Sequence, residues 1–209
     1  MDKVKLHCAH CGSDEIKVKV IESAADYMDV MPDMLLVRRA LEVAIFGRFS
    51  ICFAGHPEGY GPNWARIAGE FGLTAHFITP CLCGNLLNPR RACSCSIARI
   101  NRYHEKPLTR KARSSDLYME VTDPREETTT AESFKEALSR IEKAVLKALA
   151  FNPEAINLLR AARRELSLTP LRVEKTKRVA NAIACLSQCE SIGPEHVAEA
   201  VQYQPKSLF

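Results

Sequence analysis

Four cysteines arranged as two C-x-C pairs, Cys81-x-Cys83 and Cys93-x-Cys95 with nine residues between the pairs, restrict this chain more than any other feature. A loop of this kind must double back so that both pairs face one point, and Gly84 and Pro89 supply the turn chemistry for it. Thiolates in that pattern can close tetrahedrally around one zinc ion. With every position taken by protein, such a zinc would be structural and would leave no place for a reactive water. The competing reading is a set of free thiols in an irregular loop. The chain has nine cysteines in 209 residues, and their clustering favours metal over disulfides in a reducing compartment. A second pair, Cys8-x-x-Cys11, needs two further ligands. These could be His7 or His10, a C-x-C pair of the other loop, or the same pair in a second copy. Cys52, Cys185 and Cys189 fall in strand or helix patterns and read as small core residues.

The cysteine loop follows an alternation of strand and helix signals. Ser50 to Ala54 is a short apolar run of the buried-strand type, entering a glycine-rich loop with Gly55, Gly59 and Gly61. A helix through Phe71 follows, with Asn63 as the expected cap, then a second strand at Leu73 to Ile78 and a third at Leu117 to Val121. Trp64 and Phe71 belong to the core of this unit by their spacing. Ahead of it, apolar residues from Leu36 to Ile45 recur at helical intervals and Gly47 ends the helix. The order predicts an α/β core with a small parallel sheet over residues 31–125. Residues 1–30 form a separate knuckle-like segment, in which Ile16, Val18 and Val20 alternate with charged residues as in half of a zinc ribbon. A polar linker at Glu126 to Thr130 leads to residues 126–209, which read as four short helices. Ser133 with Glu136 forms a capping box, and Phe134, Leu138, Ile141, Val145 and Leu149 share a face. Asn152-Pro153, Thr169-Pro170 and Gly193-Pro194 open the other three.

Charge is distributed unevenly. Between Arg90 and Arg113 eight basic residues (Arg90, Arg91, Arg99, Arg102, Lys106, Arg110, Lys111, Arg113) face one acid, Glu105, whereas the whole chain carries only +4. Such a stretch suits a nucleic-acid backbone, with Tyr103 and His104 placed to stack. It equally suits a solvated surface or an acidic partner. No apolar run is long enough to span a membrane, and the first residues do not build a signal sequence, so a cytoplasmic protein is expected. His56, His76 and His196 lack a nucleophile or carboxylate at any recognisable spacing.

Several of these segments carry a family likeness. Arg38-Arg39-Ala40-Leu41-Glu42-Val43-Ala44 before the first strand and glycine loop resembles the entry into the nucleotide loop of the magnesium-chelatase-like AAA+ ATPases of the ComM/YifB type. Thr79-Pro80-Cys81-Leu82-Cys83-Gly84, Cys93-Ser94-Cys95-Ser96 and Ile100-Asn101-Arg102-Tyr103 are similar to that family's cysteine loop. The tail, from Leu158-Leu159 through His196 to Tyr203, is similar to its C-terminal helical domain. The resemblance implies a remnant of a AAA+ core with a lid-like C-terminal bundle, relatives that act on branched DNA, and a glycine loop derived from a nucleotide site.

The departures from the family bear on activity. A phosphate-binding loop needs a lysine on the phosphates and a hydroxyl on magnesium, and here Pro62 and Asn63 occupy those places. There is no lysine between Phe49 and Glu105 and no aspartate between Met34 and Ser115, so the acidic pair that would hold magnesium is missing as well. Thr79 stands where the family has its sensor asparagine. Leu171 replaces the lid arginine, with Arg172 adjacent. Losing each such group costs orders of magnitude in phosphoryl transfer. The sequence therefore predicts a non-catalytic pseudo-ATPase with structural zinc and without magnesium-ATP. Its partner would be DNA or a protein, including a AAA+ ring that it would regulate. The alternative is an ATP-binding subunit of a DNA-processing assembly that takes its missing groups from another chain.

Overall fold

The computed structural model describes residues 34–86, 88, 91–122 and 133–205. The N-terminal segment with Cys8 and Cys11, the linker at 126–130, and Arg90 lie outside the described residues.

Helix α1 (Leu35–Gly47) carries the apolar stripe read in the sequence, burying Val37, Ala40, Leu41, Ala44 and Ile45. Its end is closed by Arg48 in the left-handed conformation (φ 54°), whose N–H returns to the last turn. Strand β1 (Ile51–Gly55) is buried at every position, as a strand covered on both faces must be. Helix α2 (Gly61–Glu70) then leads to β2 (Ala75–Ile78). This helix starts earlier than the sequence predicts. Tyr60, not Asn63, stands at its N-cap, because Pro62 fits the first turn with its missing donor and Trp64 N–H already reaches Tyr60 O. Strand β3 (Leu117–Val121) completes a parallel sheet in the order β2-β1-β3, with Ile51 opposite both Ala75 and Leu117. All three strands therefore end at one edge of the sheet, the edge where ligands of parallel α/β sheets lie.

The basic stretch folds into two short helices before β3: α3 (Ile97–His104) and α4 (Pro107–Arg113). Ser96 accepts from the Arg99 N–H at the start of α3, and Pro107 sits in the first turn of α4.

Four helices follow, α5 (Phe134–Lys143), α6 (Pro153–Glu165), α7 (Pro170–Leu186) and α8 (Pro194–Gln202). The single face predicted from Phe134 to Leu149 is interrupted. The helix stops at Lys143, Ala144 is extended, and Val145 and Leu146 are exposed. The cause is tertiary. Asn181 of α7 accepts from the Leu149 N–H at 2.9 Å and donates to Lys147 O at 2.8 Å, which holds this backbone in an extended run. That run ends in β4 (Ala150–Phe151), which pairs in parallel with β5 (Ser191–Ile192), a ladder too short to leave a periodic signal. Helix α5 packs on α1, whereas α8 packs on both α6 and α7. One hydrophobic cluster runs from α1 and the sheet through Phe134 and Ile141 to Val179, Ile183, Val197 and Tyr203. The Phe71 and Phe134 rings meet edge to face at 5.8 Å, and β3 is tied to the tail by Tyr118 N–H to Tyr203 O at 2.8 Å.

Candidate metal centre and basic helical face

The chain leaves β2 at the carboxyl edge of the sheet and turns directly into the cysteine loop. The four sulfurs of Cys81, Cys83, Cys93 and Cys95 lie within 4.8 Å of one another. Three separations are 3.4 Å (Cys81–Cys83), 3.6 Å (Cys81–Cys93) and 3.6 Å (Cys83–Cys93). Four sulfurs held about 2.3 Å from one zinc would be roughly 3.8 Å apart at the edges of the tetrahedron, whereas a disulfide needs about 2.05 Å. The cysteines are free, and their spacing fits a metal.

The local backbone supports the same role. The Asn85 and Ser94 N–H groups reach the Cys83 sulfur and bring its pKa down to about 5, while burial pushes the Cys81 thiol up to about 12. The Cys95 N–H points at the Cys93 sulfur at 3.4 Å. In both halves the amide two residues after a cysteine turns back onto its sulfur, a geometry that favours thiolate and orients it. The sequence carried no sign of these amide contacts beyond the C-x-C spacing and Gly84, which adopts φ +77°. At Gly84 the loop approaches the segment after β1 closely, since an added Cβ would stand 3.2 Å from Pro57 Cδ.

Helix α3 is tied to the root of this loop. Tyr103 OH and Thr79 Oγ1 are 2.9 Å apart, and His104 Nε2 is 2.9 Å from Pro80 O. Both aromatic groups, which the sequence makes available for stacking, are half-buried and engaged beside the cysteines, with the Lys106 ammonium 5.9 Å from the Tyr103 ring. The remaining basic residues are placed differently. Arg91, Arg99, Arg102, Lys106, Arg110 and Lys111 are exposed, and none makes an ion pair among the described residues. Arg99 and Arg102 share one face of α3, being three residues apart. Arg113 is set apart from them, half-buried over the Tyr118 ring at 5.3 Å.

The glycine loop has steric reasons for its composition. A Cβ on Gly55 would come within 2.6 Å of Val121 O, and one on Gly61 within 2.6 Å of the Phe77 ring. Gly59 N–H closes a turn onto His56 O at 3.0 Å. Arg172, the residue after the exposed Leu171, donates to Ser115 O at 2.9 Å, to Gln204 Oε1 at 3.4 Å and to Arg113 O. It joins α7 to the start of β3. No helix among the described residues is long and apolar enough to cross a membrane.

Fold and site together define an α/β chain with a small parallel sheet and a four-cysteine cluster able to hold a metal such as zinc. Residues 111–204, from the end of α4 through α8, match the family model described as the magnesium chelatase, subunit ChlI C-terminal. The match supports a magnesium-chelatase-like relative and covers the segment in which the sequence reading found its helical tail. No curated protein matches the chain.

Proposed function

We propose that this protein is a non-catalytic, zinc-stapled module of the magnesium-chelatase-like AAA+ type that binds the phosphate backbone of DNA through α3 and α4. The observation that carries this reading is the exposed set Arg91, Arg99, Arg102, Lys106, Arg110 and Lys111, free of ion pairs among the described residues and anchored to the cysteine loop through Tyr103 and His104. The four thiolates would hold zinc and thereby fix the base of α3. The metal's contribution is structural, since four protein ligands fill its coordination. Cations unpaired on a rigid helix pair gain affinity by releasing counterions from DNA.

The pseudo-ATPase part of the proposal rests on Pro62 at the first turn of α2, where the phosphate-binding lysine would be, and on Gly84 packed against Pro57 at the same edge of the sheet. Steric packing at Gly55 and Gly61 accounts for those glycines without a ligand.

The test is fluorescence-anisotropy titration of zinc-loaded protein with branched and linear duplex DNA over a range of salt. Binding should weaken linearly with log salt, and the double variant Arg110→Glu/Lys111→Glu should lower the slope by roughly 0.9 for each phosphate that it no longer neutralises. Absence of DNA binding, or an unchanged slope in the variant, would remove the nucleic-acid role. A stoichiometric magnesium-ATP complex would instead favour the ATP-binding alternative.

A further inference from the structure

The groove between α6 and α7 belongs neither to the cysteine cluster nor to the basic helix pair. A cavity of about 390 Å³ opens there, lined by Phe151, Leu159 and Val173, by Arg160, Arg163 and Lys177, and by Ile156, which is 36% exposed. On α6, residues 156, 159, 160 and 163 recur at intervals that place them on one ridge about two turns long, and residues 173 and 177 stand one turn apart on α7. Three cations and no carboxylate line the cavity. Lys177 pairs with Glu174 at 2.7 Å and Arg160 reaches Asn157 at 3.4 Å, while Arg163 makes no ion pair among the described residues.

Two features of this groove must be met by the same occupant. Basic side chains at the last turn of α6 offset the helix dipole, which accounts for Arg163 but not for the apolar floor beside it. A phosphate backbone would use the cations and leave Phe151, Leu159 and Val173 without a partner. We propose that the α6–α7 groove receives an amphipathic helix of a protein partner, its apolar side chains at helical spacing filling the cavity and its carboxylates meeting Arg160, Arg163 and Lys177. A groove between two helices and a ridge two turns long are the dimensions of helix-in-groove recognition. Charge complementarity sets orientation and partner choice, and the apolar floor supplies the buried contact. This inference is independent of the DNA-binding proposal, which uses α3 and α4.

The probe is a displayed library of helical peptides of about 14 residues, four turns long, selected on the zinc-loaded full chain. Enriched peptides should share apolar residues at i and i+4 flanked by Asp or Glu. A synthetic copy should lose on the order of tenfold in affinity for the Arg160→Glu/Arg163→Glu double variant. It should regain binding to that variant when its acids are changed to lysine, and should bind the Arg110→Glu/Lys111→Glu variant unchanged. Both Arg160 and Arg163 are exposed, so their reversal leaves the core intact, and a thermal melt checks this. Failure to select any binder, selection without the acidic pattern, or insensitivity to the double reversal would overturn the proposal. So would displacement of the peptide by a short DNA duplex, which would make the groove a nucleic-acid surface. A change of oligomeric state in the double variant would likewise overturn it, by making the occupant a second copy.

Discussion

Replacing Glu42 by Gln should destabilise the protein by about 2 kcal/mol, and the structure sets that size from both sides. The Glu42 side chain is 2% exposed on α1 and accepts from Arg39 Nη1 at 2.8 Å and from Arg140 Nε at 2.9 Å, so it joins α1 to α5. Removing one partner of a buried ion pair typically costs about 3–5 kcal/mol because the other is left uncompensated. Here the cost is reduced, since Arg39 keeps Glu199 at 2.9 Å and the Arg140 side chain is 40% exposed and can be solvated. A loss of about 2 kcal/mol corresponds to a fall in Tm of roughly 4–8 °C for a chain of this size. Glu199 is 28% exposed, and Glu199→Gln should cost under about 1 kcal/mol. Thermal and urea unfolding of the two variants, followed by circular dichroism, gives both values. Equal losses, or a larger loss for Glu199→Gln, would refute the assignment of Glu42 as the buried centre of this network.

Other expectations follow from single contacts. Burial opposes the charge on Asp116, but the Ser50 N–H and O–H, with Lys175 and Arg178, outweigh it and hold the carboxyl below the usual carboxylate range. A depressed folded value means that the contribution is complete above the unfolded value of about 3.9 and is lost as pH falls through the folded one. The stability gap between the parent and Asp116→Asn should therefore be constant above about pH 5 and narrow below about pH 4 in urea titrations. Gly84→Ala places a side chain at φ +77° and 3.2 Å from Pro57 Cδ, at a cost of about 1–2 kcal/mol, and should speed zinc release to a chromogenic chelator. Asn181→Ala removes both bonds that hold residues 147–149 extended and should cost about 1–3 kcal/mol in urea unfolding.

Much of the α/β unit was legible because its signals are local. The apolar run at β1, the helical stripe of α1 and the proline-opened helices α6, α7 and α8 are set by residues within a few positions of each other, and the structure shows them. The cysteine quartet was legible for a chemical reason, since four thiolates at that spacing have few uses, and the sulfurs converge as the spacing requires. What the sequence hid depends on distant partners. The break after Lys143 is made by Asn181, the latch at Arg172 by the carbonyls before β3, and the two-residue ladder of β4 and β5 has no periodicity to detect. The engagement of Tyr103 and His104 with Thr79 and Pro80 was invisible for the same reason. Their pattern beside arginines suits stacking as well as it suits a half-buried tie.

Native mass spectrometry of the full chain and of its Cys81→Ser/Cys83→Ser variant, with and without magnesium-ATP and a short branched DNA, separates a zinc-stapled, DNA-binding module from an ATP-binding subunit. The parent should carry zinc and the variant one zinc fewer. The parent should form a DNA complex that weakens in the variant as α3 loses its anchor, and neither should take up magnesium-ATP. An unchanged zinc count in the variant, or stoichiometric magnesium-ATP on the parent, would contradict the proposed function.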